Sequence, residues 1–256
     1  MRWPDLLRTV LALVIMLLAG RAVAITPVTD SERSATRQTI ATQLGPGHSY
    51  ALIIGISEFD DPAWHGLSGV PDEIARIRNV LAAQAFTIVP ESTVGRLDHT
   101  ALTAAITRFF TTYGSKAENR LIVYVATHGF ADPTRPEGDG YLIASDSSGP
   151  ADGRIGNGYS VKELSAALTS VTAQHVFLFF NSCFSGAMLP EPTRAADPLL
   201  AGKPVQALSK ETAAWTLDLL AHNARLVLTA GDASETAPDR KSPFADAAVA
   251  ALSGDA

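Results

Sequence analysis

Cysteine occurs once in these 256 residues, as Cys183. A single thiol cannot close an internal disulfide, so no covalent staple is available to the fold. Basic clusters are missing too: 20 Lys and Arg stand against 26 Asp and Glu, a formal net charge of -6. Phosphate backbones are bound by grouped Lys and Arg, so this balance argues against a nucleic-acid partner. No two histidines lie three to five residues apart, and one cysteine cannot build a thiolate zinc site, so no metal ligand set is expected. No apolar run approaches the roughly 20 residues needed to span hydrocarbon.

What is present begins with a short export pattern. MRWPDLLR carries positive charge, VLALVIMLLA is a brief apolar stretch, and Ala22, Val23 and Ala24 are small where a signal peptidase reads. The expectation is a signal peptide over residues 1–24, removed after Ala24, with export to the periplasm or beyond and only transient membrane contact. No cysteine follows the segment to accept a lipid. Its removal takes away Arg2, Arg8, Arg21 and Asp5, moving the balance from 20 minus 26 to 17 minus 25. Residues 25–47 are polar and end in Gly-Pro-Gly, which reads as a flexible leader. The remainder, 48–256, has the length of one domain with a real core.

From Tyr50 onward, apolar runs of strand length alternate with segments of helical period. YALIIGI (50–56), FTIV (86–89), LIVYVAT (121–127), HVFLFF (175–180) and RLVLTA (225–230) are the predicted strands. Helices are predicted near 71–83, 99–112, 161–169, 211–221 and 243–252. Continuous apolar strands imply burial on both faces, so the fold class is α/β, a three-layer α/β/α sandwich around a mostly parallel sheet. Two long insertions interrupt the rhythm: Phe130 to Gly158, with YLIAS as a short strand, and the Pro- and Ala-rich Met188 to Lys210.

In open parallel sheets the working groups collect beyond the carboxyl ends of the strands. LIVYVAT runs into His128 and Gly129, and HVFLFF runs into Asn181, Ser182 and Cys183. If those strands are neighbours, the sole thiol meets an imidazole. A thiolate is the nucleophile, and an imidazole both lowers the thiol pKa and returns a proton to a leaving amine. His128 and Cys183 therefore suit base and nucleophile, and the backbone N–H groups of Gly129 and Cys183 suit an oxyanion hole.

These residues resemble the caspase and metacaspase family of cysteine peptidases. VYVATHGF stands where that family has a strand followed by His-Gly, and NSCFSGAM where metacaspase-like members read Asp-x-Cys-x-Ser-Gly. The 55 positions from His128 to Cys183 fit the family spacing of roughly 50. YALIIGISEF resembles its first strand, LSGVPDEIARI the next loop and helix, and ASETAPDRKSPFADAAVAAL the region after the fifth strand. The resemblance implies cleavage after Arg or Lys in a P1 pocket shaped by Asp72 and Asn181. Asn181 departs from the family aspartate: an amide keeps an acceptor and loses the charge, so a basic side chain is held less firmly. The Pro-rich insertion matches the position of the caspase processing site and offers Arg194, Lys203 and Lys210 as self-cleavage points. The chain stops at ALSGDA, where the resemblance implies that many bacterial relatives continue, so the peptidase domain at 48–256 is expected to be truncated at its C-terminus.

Milder explanations exist for several of these features. Cys183 could be a buried, inert thiol, and the whole chain a catalytically silent caspase-like module that binds peptides or proteins. Ser182 and Ser185 lack the Gly-x-Ser-x-Gly elbow of a serine hydrolase. GRIGNG (153–158) lacks the phosphate-loop lysine. His48, His65, His99, His175 and His222 compete with His128, and none is followed by glycine at a strand end. Asp132, Asp139, Asp146 and Asp152 share one loop region and are hard oxygen ligands, but the EF-hand pattern is absent. The chemistry needs no cofactor, and calcium activation stays open through the resemblance alone.

Overall fold

The computed structural model describes residues 48–132, 140–151, 154–183, 224–230 and 242–253. The expected signal peptide and leader, the helix expected near 211–221, and Arg194, Lys203 and Lys210 lie outside the described residues.

Within them the order is β1 (Ser49–Ile56), α1 (Val70–Ala83), β2 (Thr87–Ile88), β3 (Thr93–Gly95), α2 (His99–Tyr113), β4 (Arg120–Ala126), β5 (Gly129–Ala131), β6 (Gly140–Ile143), β7 (Gly158–Ser160), α3 (Val161–Leu168), β8 (His175–Asn181), β9 (Ala224–Thr229) and α4 (Pro243–Ser253). The main sheet is wholly parallel, in the order β2-β1-β4-β8-β9. β3 completes it by pairing with the carboxyl half of β1, beyond the stretch that β2 covers.

Each central strand splits its apolar residues between two faces, as the period of two requires. Leu52, Ile54, Leu121, Val123, Val125, Val176 and Leu178 pack with Ile106, Phe109 and Phe110 of α2 and Leu164 of α3. Ala51, Ile53, Ile122, Tyr124 and Phe179 pack with Ile74, Ile77 and Leu81 of α1 and Ala248 of α4. The result is the three-layer α/β/α architecture expected from continuous apolar strands. Close approach of α1 needs Gly55: a Cβ there would lie 2.5 Å from Ile74 Cγ1 and 2.7 Å from Val70 Cγ1.

The helix starts follow their sequences. Asp98 caps α2 by accepting from the Ala101 N–H at 2.8 Å. Ser160 and Glu163 form a reciprocal capping box at α3. Pro71 sits in the first turn of α1, followed by Asp72 and Glu73 where the helix dipole favours acids.

The first insertion is more regular than expected. β5 and β7 flank β6 in a three-stranded antiparallel sheet. Strands of three residues carry too little periodicity to be visible in sequence, which leaves β3 without a signal as well.

Candidate active site

β4 and β8 are hydrogen-bonded neighbours, with Ala126 opposite Asn181. Each chain then runs two residues further, to His128 on one strand and Cys183 on the other. The Thr127 N–H still donates to the Asn181 carbonyl at 3.3 Å, so the two strand ends stay together past the ladder. Cys183 keeps a reduced, partly exposed thiol, while His128 is 8% exposed and Ser182 1%.

His128 Nε2 lies 2.8 Å from the His65 carbonyl oxygen. A carbonyl only accepts, so Nε2 carries the proton and a neutral ring must keep Nδ1 as its acceptor. Nδ1 is thereby the ring nitrogen able to take up a proton. Its ring is enclosed by Phe59, His65 and Trp64, with centroids 4.9, 4.7 and 5.7 Å away.

The loop that supplies the His65 carbonyl is fastened at many points. Asp61 accepts from the Ala63 and Gly149 N–H groups at 2.9 and 2.7 Å, and these bonds, the one from Gly149 foremost, hold its carboxyl below the usual range. The Trp64 indole N–H donates to the Ser148 carbonyl at 3.1 Å, the Asp60 N–H to the Ser145 carbonyl at 2.8 Å, and Arg96 pairs with Asp60. A carbonyl has no side-chain signature, so nothing in the sequence singles out His65 for this part.

Gly129 carries the second half of the geometry. The Ile143 N–H donates to the His128 carbonyl at 2.9 Å, which makes that opposed pair the hydrogen-bonded one. Gly129, paired with Leu142, then sits at the alternate position, where its N–H turns away from β6. On its other side lies Cys183: a Cβ at position 129 would stand 1.8 Å from the Cys183 carbonyl oxygen and 2.9 Å from its carbon. Only glycine admits the Cys183 turn at this distance. Ser182 Oγ is buried beside the same spot and has no hydrogen-bond partner among the described residues. Ser182→Ala is therefore expected to raise stability by about 1 kcal/mol, since an unsatisfied buried hydroxyl is removed. Thermal unfolding checks this, and a loss of stability would show that the hydroxyl has a partner.

Asp72 and Asn181, expected to shape a P1 pocket, have separate surroundings. Asp72 is exposed on the first turn of α1. Asn181 is buried, and its Nδ2 donates to both carboxylate oxygens of the adjacent acid, Glu73, at 2.8 and 2.9 Å. The Tyr124 hydroxyl donates to Glu73 Oε1 at 2.8 Å, and the Ser242 hydroxyl to Asn181 Oδ1 at 3.1 Å. The acid that meets Asn181 is thus Glu73, because helical geometry points position 73 inward with Val70 and Ile77 and leaves Asp72 outside. The stripe of α1 contains that signal, since Glu73 lies three residues from Val70 and four from Ile77. Burial raises the Glu73 carboxyl, opposed by the bonds from Asn181 and Tyr124.

The competing histidines have other surroundings. His48 Nδ1 is 3.2 Å from Asn119 Oδ1, His99 Nε2 is 2.9 Å from Glu163 Oε1, and His175 opens β8 at the end remote from Cys183. His222 lies outside the described residues. Of the loop acids, Asp146 accepts from the His99 N–H at 2.8 Å and from Asn157 Nδ2 at 3.1 Å, and Asp132 is buried. Asp139 and Asp152 lie outside the described residues. Among those described, no three His, Cys, Asp or Glu side chains gather as a metal set.

Residues 15–235 match the CHAT domain model. The chain belongs to the CHAT domain family. That family is caspase-like in fold and related to the C14 peptidases, so the likeness read from VYVATHGF and NSCFSGAM holds at the level of the fold. No curated protein matches this CHAT domain. Among solved structures, the crystal structure of caspase-1 from Spodoptera frugiperda is similar at 16% identity and a TM-score of 0.48, covering 80% of this chain and 68% of that one.

Proposed function

We propose that this CHAT domain is a cysteine endopeptidase. The observation that carries the proposal is the pairing of a tautomer-locked His128 with a Cys183 turn seated against Gly129, at equal offsets beyond neighbouring strands. In the first half of the reaction the Cys183 thiol proton passes to His128 Nδ1, and the thiolate sulfur adds to the peptide carbonyl carbon. The N–H groups of Gly129 and Cys183 receive the oxyanion. The C–N bond breaks as Nδ1 returns its proton to the departing amine, leaving a thioester on Cys183. In the second half a water gives one proton to Nδ1 as its oxygen adds to the thioester carbon; the C–S bond then breaks, the acid leaves, and Nδ1 returns the proton to the Cys183 sulfur.

Asp72 is exposed at the start of α1 and attracts a basic P1 side chain, so cleavage follows Arg or Lys. Arg194, Lys203 and Lys210 are then points of self-cleavage, and export and calcium activation belong to the same reading. A peptide-binding module without cleavage is the second reading, favoured by the inward-turned amide of Asn181, which offers a substrate little.

Fluorophore release from Arg, Lys and Asp peptides tests this, with and without calcium and reductant. Activity on basic peptides is expected, with a fall of about 10⁴-fold or more in both Cys183→Ala and His128→Ala, as for other covalent dyads. Silence of the folded wild-type chain under every condition would favour the binding module.

A further inference from the structure

A carboxylate buried beside a nucleophile is expensive unless its charge is used. Glu73 is 6% exposed, yet it is held by three donated hydrogen bonds, two from Asn181 and one from Tyr124. Asn181 is the last residue of β8, and the next two are Ser182 and Cys183. Its second polar atom is tied to Ser242, which also accepts from the Ala245 N–H at the start of α4 at 3.1 Å. The Glu73–Asn181 pair therefore ties α1, β4, β8 and the start of α4 together at the point where the chain turns toward Cys183.

We propose that Glu73 is a positioning residue for Cys183: by chelating the Asn181 amide it fixes the turn whose Cys183 carbonyl lies against Gly129, at the same offset beyond its strand as His128. An ionised carboxylate accepts both Nδ2 hydrogens. A protonated one offers one oxygen and an O–H, so one leg of the chelate is lost and the turn loosens. Among the described residues, three other titratable groups act on it. Tyr124 faces it from β4, and burial and the Glu73 charge push that phenol far above its usual value, so it remains a neutral donor. Arg76, on α1 itself, pairs with Asp246 of α4 at 2.6 Å, both about half exposed; Arg76 favours the Glu73 charge and Asp246 opposes it. Burial outweighs the donors and moves Glu73 up, so release of the clamp falls above the usual carboxylate range.

The inference rests on Cys183 and His128 acting as a pair, but its readout does not need turnover. Because Cys183 is the sole cysteine, alkylation by iodoacetamide, followed by intact mass on the full chain, reports that thiol alone. In the wild type the rate from about pH 5 to about pH 9 should show an acid inflection beyond that of the thiol–imidazole pair. Glu73→Gln should lose that inflection and react about tenfold more slowly near neutrality, converging with wild type at high pH where every thiol is ionised. Tyr124→Phe keeps the chelate, removes one donor to the charged form, and should move the inflection upward, which covers the case of a poorly folded Glu73→Gln.

Superimposed wild-type and Glu73→Gln profiles, or an inflection that Tyr124→Phe does not move, would overturn the inference. Peptide cleavage by wild type with an undiminished kcat in Glu73→Gln would remove the positioning role and leave the peptidase reading intact. A Glu73-dependent alkylation profile in a chain that cleaves nothing would do the reverse.

Discussion

Gly129→Ala is expected to abolish peptide cleavage as completely as loss of the thiol, although Cys183 and His128 both remain. The alanine Cβ would lie 1.8 Å from the Cys183 carbonyl oxygen, a distance that no bonded geometry on either side absorbs. The obstacle is backbone, not the flexible end of a side chain, so the nucleophile turn itself must retreat by about 1.5 Å to reach ordinary contact. A misplacement of about 1 Å costs roughly 10² in rate, and withdrawal of one oxyanion donor a further ~10² to 10³. Acting together on one turn, they leave a residual rate below about 10⁻⁴ of wild type. The readouts are kcat/KM on the Arg, Lys and Asp peptides and alkylation of Cys183. Unlike Cys183→Ala, the variant keeps a thiol that reacts at high pH. An active Gly129→Ala would mean that the turn can sit elsewhere, and the oxyanion assignment to Gly129 and Cys183 would fall.

Why Gly129 can be singled out at all depends on how much of the fold its sequence displays. YALIIGI, LIVYVAT, HVFLFF and RLVLTA are dominated by apolar residues at successive positions, and a strand buried on both faces is the simplest chain that needs such a run. From their adjacency the strand-end rule brings His128 and Cys183 to one edge, where β4 and β8 place them. What stays illegible depends on groups common to all residues, or on register. The His65 carbonyl is a backbone atom, and its loop is held by contacts of Trp64 and Asp61 that reach 84 and 88 residues along the chain. β3, β5 and β7 are three residues each, shorter than any period can mark. Glu73 is a different case. The family motif points to its neighbour Asp72, while the stripe through Val70 and Ile77 assigns position 73 to the interior, and helical phase is the signal that the fold obeys.

Asn181→Asp should be severely destabilising at neutral pH, and Glu73→Gln should repair it. In the wild type the buried carboxylate of Glu73 faces two amide hydrogens. The single substitution replaces those donors with a second carboxylate about 3 Å away, at a place with no room for both charges. An uncompensated buried charge costs about 3–5 kcal/mol, which for a domain of this size lowers Tm by roughly 10 °C. One acid of such a pair must take up a proton, so its folded pKa lies above the unfolded value. The lost stability is then recovered as the pH falls below that raised pKa and lost again as the pH rises through it. In the double variant the chelate is reversed: the amide now stands on α1 and the charge at the end of β8, and the Ser242 and Tyr124 hydroxyls still have oxygens to meet. Thermal unfolding of the four proteins gives the coupling between the two positions, expected at about 2 kcal/mol or more in favour of the double variant. Additive effects would show that the side chains do not sense one another's charge. A strong coupling would explain why this CHAT domain carries asparagine at position 181. The negative charge here lies on the inner face of α1, and the amide at the end of β8 supplies the two donors that face it.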